Sequence, residues 1–398
     1  MPRANHFRHQ TYTDGPPSVP YFLLQAVPSP ALDSDDFRTR MRTVGDRVRA
    51  ARVAAVYLIH GTFVGTDALG LIEDLSRFAP QAAAPLRQMM KRTMDGIYRE
   101  AGNYTPEYAR LFEFTLSGDQ ARPIPVRLFN WTSENHHLGR ASAAVRLIDE
   151  LSRLALAPHS RVLLWAHSHG GNVLALLTNL IAADDASRDE FFSAGKLFHR
   201  GSEGETSDAP NWERVQRLLA DHTLPFTGAN LDLVTFGTPV RYGWDTDGYA
   251  RLLHFIHHRT SPQLPEYRTH FPPNVRDVLR ATGGDYVQHV GIAGTNSLPH
   301  LLAWRAWRAD RQLNRLLQPG IRARTLRARL RLGQRVPDEG TTLLVNYGLR
   351  REPFARHLAG HGVYTHREWL LFHAEEVARR FYDSGSATFP VESTSSTP

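Results

Sequence analysis

The chain has 398 residues, 41% of them hydrophobic and 22% charged, a composition that builds a large core without covalent staples. It contains no cysteine, which excludes disulfides, thiolate-bound metals, iron–sulfur clusters and a cysteine nucleophile, and says nothing about redox compartment. The net charge of +7 is local, because ten arginines and one acid, Asp310, fall between Arg305 and Arg335 and leave the remainder slightly acidic.

The opening MPRANHFRHQTYTDGPPS is polar and broken by prolines, without the apolar stretch of a signal peptide. No run approaches the ~18 apolar residues of a membrane span. The expectation is a cytoplasmic protein. Tyr21–Val27 reads as an edge strand in an N-terminal extension over residues 1–50. Short β-rich runs then alternate with helical patterns, the signature of a mostly parallel sheet covered by helices. The runs are Arg52–Ile59, Pro123–Trp131, Arg161–Trp165, Leu231–Phe236, Leu252–His258 and Thr341–Tyr347. Helical patterns follow at Leu138–Leu156, Asn172–Ala183 and about Thr365–Tyr382. They define one α/β domain over 51–382, interrupted by long insertions at about 64–118, 184–230 and 295–340. Insertions of this length carry their own helices and serve as caps or lids. Residues 383–398, low in apolar content, read as a disordered tail.

Two motifs carry chemistry. Ala166-His-Ser168-His-Gly-Gly171 sits where an apolar strand runs into an apolar helix. A serine on such a tight turn projects its hydroxyl above the sheet, and the amide of His169 would face the reacting oxygen from a helix N-terminus. An ordinary N-cap serine is the competing account. His60-Gly61-Thr62-Phe63 ends the strand expected before the serine strand, with Thr62 as the natural second amide donor. A plain strand-terminal turn would also explain Gly61. The order of the two motifs makes each more informative.

With Thr235-Phe-Gly-Thr-Pro-Val240 added, the sequence resembles the α/β-hydrolase-fold serine esterases and lipases, including those with alanine at the first elbow position. The resemblance rests on the motifs within residues 52–385. It implies an α/β-hydrolase fold and the chain order serine, acid, histidine. His361, between two glycines and just before the last helix, fits the histidine; His357 and His366 compete, and His373 lies inside the helix pattern. Asp285, in Gly284-Asp-Tyr-Val-Gln288, is the first candidate acid and Asp245 the second. Asp247 shares the Asp245 segment, and Asp277 falls in a helix pattern. The implied activity is ester hydrolysis through Ser168, His361 and Asp285, with Thr62 and His169 at the oxyanion. An acyltransferase or peptidase would use the same groups.

The twenty histidines suggest a metal site, but His167-x-His169 lacks the acid and histidine that a metallo-hydrolase needs next, and no H-E-x-x-H accompanies His254, His257 and His258. No metal and no cofactor is expected. The partner is a small-molecule or lipid ester. The rival from another class is binding of nucleic acid or an anionic membrane through Arg305–Arg335, although no nucleic-acid motif joins those arginines. Finally, LRQMMKRTMDGIYRE, residues 86–100, groups Leu86, Met89, Met90 and Ile97 on one side of a helix that would wall an acyl pocket.

Overall fold

The structure, a computed structural model, describes residues 7, 15–61, 102–118, 122–199, 208–271, 273–293, 304–317, 333–348 and 357–383. The helix expected over 86–100, Thr62 and the tail from 384 onward lie outside these residues.

In chain order the elements are β1 (Tyr21–Gln25), α1 (Asp35–Ala50), β2 (Val53–Ile59), α2 (Pro106–Ser117), β3 (Val126–Phe129) and α3 (His137–Ser152). They continue with β4 (Arg161–His167), α4 (Gly170–Ala182), α5 (Asp185–His199), α6 (Ala209–Ala220), β5 (Leu231–Phe236) and β6 (Arg251–His257). The last are α7 (Val275–Arg280), α8 (Val287–Ala293), α9 (Trp304–Leu317), β7 (Thr341–Asn346) and α10 (Leu370–Phe381). Local chemistry sets several boundaries. Ser34 caps α1 by accepting from the Phe37 amide, and Thr105 caps α2, where Pro106 occupies the first turn and needs no N–H partner.

The strands form one sheet in the order β1-β7-β6-β5-β4-β2-β3, and every pairing is parallel. A parallel sheet must be covered on both faces. In β4 the alternation is strict: Val162, Leu164 and Ala166 enter one core with α3, α4, α5, α6 and α9. Leu163 and Trp165 enter the other with α1, α2 and α10. In β5 Leu231 and Leu233 face the first core, while Val234 and Phe236 face the second. The period-2 alternation of side chains therefore divides the molecule into two helical layers around the sheet. Among the described residues no helix is long and apolar enough to cross a membrane.

The order locates a site before any side chain is considered. From β2 the chain goes outward to β3, returns across β2 to β4, and then proceeds in the opposite direction through β5, β6 and β7. At such a reversal the loops leaving adjacent carboxyl ends part company and leave a crevice, the preferred ligand position in open α/β sheets. Here those ends are His60-Gly61 after β2 and Ser168 after β4.

Candidate active site

Ser168 follows β4 and precedes α4, and its backbone is left-handed at φ +54°. A non-glycine residue held there is strained by about 1–3 kcal/mol and persists only where its surroundings over-determine it. Those surroundings are on both sides. The Ser168 amide donates to the Phe236 carbonyl at 2.8 Å, extending the β4–β5 ladder by one residue. The Ser168 carbonyl accepts from the Gly171 amide and the Thr238 hydroxyl. Gly61 closes the third side: a Cβ there would lie 2.6 Å from the Ser168 Cβ and 3.2 Å from its Oγ, so only glycine permits the approach.

His361 and Asp285 come together from distant parts of the chain. His361 Nδ1 lies 2.8 Å from Asp285 Oδ2. Because a carboxylate only accepts, Nδ1 carries the hydrogen and Nε2 the lone pair. Asp285 is fully buried, and its loop is fastened to the end of β6 by its amide, which donates to the His257 carbonyl at 2.9 Å. The Gln288 amide donates to its Oδ1 and the Tyr364 hydroxyl to its Oδ2, each at 3.0 Å. Burial opposes ionisation, but the His361 ring, its hydrogen bond and the Arg335 guanidinium outweigh burial and pull the carboxyl down to about 2. The same oxygen presses on β5's exit: a Cβ on Gly237, whose φ is +57°, would stand 2.6 Å from Asp285 Oδ2.

His167 links this pair to the serine. Its Nε2 donates to the His361 carbonyl at 3.1 Å, and the two rings lie 4.7 Å apart. Burial, then the neighbouring His361, pushes His167 down to about 3, so it is a neutral donor at physiological pH. His169 opens α4 at its Ncap position. Its Nδ1 accepts from the Asn172 side-chain Nδ2 at 3.0 Å. Burial, followed by the Arg140 and Arg241 guanidiniums, holds its pKa well below the ordinary value.

The other candidates stand elsewhere. His357 Nδ1 accepts from the Gly360 amide at 3.1 Å and shapes the loop that carries His361. His366 lies 3.7 Å from Glu368, and His373 is core, bonded to the Tyr347 hydroxyl at 2.7 Å. Asp245 caps a 3₁₀ turn by accepting from the Asp247 amide, and its own amide donates to Thr178 in the third turn of α4. Asp277 completes a capping box with Asn274 at the start of α7. Among the described residues no three His, Asp or Glu side chains converge as a metal ion requires.

Two neighbours of the acid are invisible to motif reading. Tyr364 donates to Asp285 and accepts from the His257 amide at 2.7 Å, although the sequence marks it only as a residue near a helix start. Arg335 is fully buried and donates to the Asp285 carbonyl, to Gln288 Oε1 at 2.7 Å and to the Gly283 carbonyl at 3.0 Å. Composition counts it only as one of the arginines of the basic segment Arg305–Arg335; tertiary structure alone shows it buried against Asp285.

Compared with protein-family models, with curated proteins and with solved structures, the chain matches none.

Proposed function

We propose that the protein is a serine hydrolase of α/β-hydrolase architecture that cleaves carboxylic esters through a covalent acyl-enzyme. Ser168 Oγ attacks the ester carbonyl, and His361 Nε2 takes its proton. The alkoxide leaves as the alcohol after receiving that proton from His361. Water, deprotonated by the same nitrogen, then attacks the acyl group, and the carboxylic acid departs as the proton returns to Ser168. Asp285 fixes the tautomer and orientation of His361 and offsets the imidazolium charge without itself taking a proton. The amides of His169, at the start of α4, and of Thr62 receive the oxyanion.

The observation that carries this reading is the 2.8 Å bond between His361 and a buried Asp285 whose pKa is depressed. The His361 ring lies 4.7 Å from the ring of His167, the residue that precedes a serine held at positive φ at the sheet's reversal point. The test is hydrolysis of p-nitrophenyl butyrate together with labelling by a fluorophosphonate. The wild type is expected to turn over and to label. Ser168→Ala is expected to lose at least about 10³-fold in activity and all labelling. Undiminished turnover in that variant would reject the assignment.

A further inference from the structure

The arginine-rich segment is not a uniformly solvated face. In α9 the buried row is Ala306, Ala309, Asp310, Leu313, Leu316 and Leu317. Asp310 accepts from the Leu138 amide at 3.0 Å, and Asn314 pairs with His137 at 3.1 Å, so the helix lies flat on the body of the protein. The opposite row is Trp304, Trp307, Arg308, Arg311 and Arg315, spaced i, i+3, i+4, i+7 and i+11 and therefore on one face. Trp304 is 55% exposed and Trp307 38%, both unusual for tryptophan. Arg305 and Arg311 stack over these rings at 5.7 and 4.9 Å. No acid belongs to the outer row.

We propose that this outer face of α9 docks the protein on an anionic phospholipid surface. Charge complementarity selects the occupant: three exposed guanidiniums along about 10 Å of helix pair with lipid phosphates. The two indoles supply what a purely electrostatic patch lacks, an amphipathic ring that settles at the headgroup level. The face is convex, and its helix is backed along its length by the protein. The inference does not depend on the role of Ser168.

The test uses the full chain and sedimentation with vesicles of phosphatidylcholine, alone or mixed with phosphatidylglycerol. Binding is expected on the mixed vesicles only, with weakening as salt rises and a blue shift of tryptophan emission. Replacing Arg308, Arg311 and Arg315 together by Gln is expected to weaken binding about 100-fold. Trp304→Ala with Trp307→Ala is expected to remove most of the emission shift. These residues lie outside the core, so circular dichroism should be unchanged. Equal binding to both vesicles, absence of binding, a triple variant that binds like wild type, or tighter binding to duplex DNA than to mixed vesicles would each overturn the proposal.

Discussion

A single methyl group at Gly237 provides a quantitative test of how the acid is held. At φ +57° an alanine incurs the left-handed penalty, roughly 1–2 kcal/mol. Its Cβ would also stand 2.5 Å from the Tyr364 ring and 2.6 Å from Asp285 Oδ2, both in fully packed surroundings where overpacking costs about 1–3 kcal/mol. The expected destabilisation of Gly237→Ala is therefore about 3 kcal/mol, a large part of the ~5–15 kcal/mol that holds a domain folded. Gly348 isolates the two contributions. Its φ is +72°, but a Cβ there meets nothing closer than 4.0 Å, so Gly348→Ala should cost only the conformational part, about 1 kcal/mol. Urea unfolding of both variants at one pH gives the comparison. The crowded oxygen is the one that accepts from His361 and Tyr364, so Gly237→Ala should also lower kcat/KM for p-nitrophenyl butyrate where it is fully folded. If Gly237→Ala costs no more than Gly348→Ala and keeps full activity, the close packing of β5's exit against the acid is refuted.

Among the histidines, His361→Ala should be as inactive as Ser168→Ala, while His357→Ala and His366→Ala keep most of their turnover; a dead His366→Ala with an active His361→Ala would reverse the assignment. The His361 ring, its hydrogen bond and Arg335 pull the Asp285 carboxyl down to about 2 against ~3.9 when unfolded, so its contribution, on the order of 2 kcal/mol, is present above the unfolded pKa and is lost as pH falls through about 2. In Asp285→Asn that part of the acid-induced loss should vanish, and urea titrations of both proteins from neutral pH downward will show whether the two curves converge. Arg335→Met leaves the buried Asp285 and Gly283 carbonyls without their guanidinium donor and should cost about 3 kcal/mol, with a rise in the pKa of Asp285 read from the same titration. An Arg335→Met protein as stable as wild type would show that those bonds contribute nothing net.

The parallel sheet was legible because its central strands β4 and β5 are apolar on both faces, and helical periods follow β3, β4 and β7. Pairing order was not, since Leu231 and Leu252 differ in no local way that reveals which neighbours they choose. The helix expected from Thr365 begins as two 3₁₀ turns, and α10 starts only at Leu370, because the chain must first carry His361 and Tyr364 back to Asp285. Ser168 stood out through local features, a strand, a tight turn and two glycines. Asp285 ranked ahead of Asp245 only through its likeness to a family pattern, and the physical distinction between them is tertiary: one carboxylate meets His361, the other caps its own turn. Trp304 and Trp307 were legible as residues but not as exposed, which depends on which side of α9 the body of the protein covers.

The first and last strands are neighbours. Tyr21 to Gln25 pair in register with Thr342 to Asn346, and Arg40 of α1 holds Glu375 of α10 in a two-pronged ion pair. Three hundred and more residues separate these partners, so during synthesis β1 emerges long before the strand that completes it. At ~5–20 residues per second that interval is roughly 15–60 s. Throughout it the apolar face of Phe22 and Leu24 is without its native cover, and the pairing has one of the largest loop closures the chain can offer. The edge of the sheet is thus sealed late, and until β7 is made β1 stands without the only strand it pairs with among the described residues.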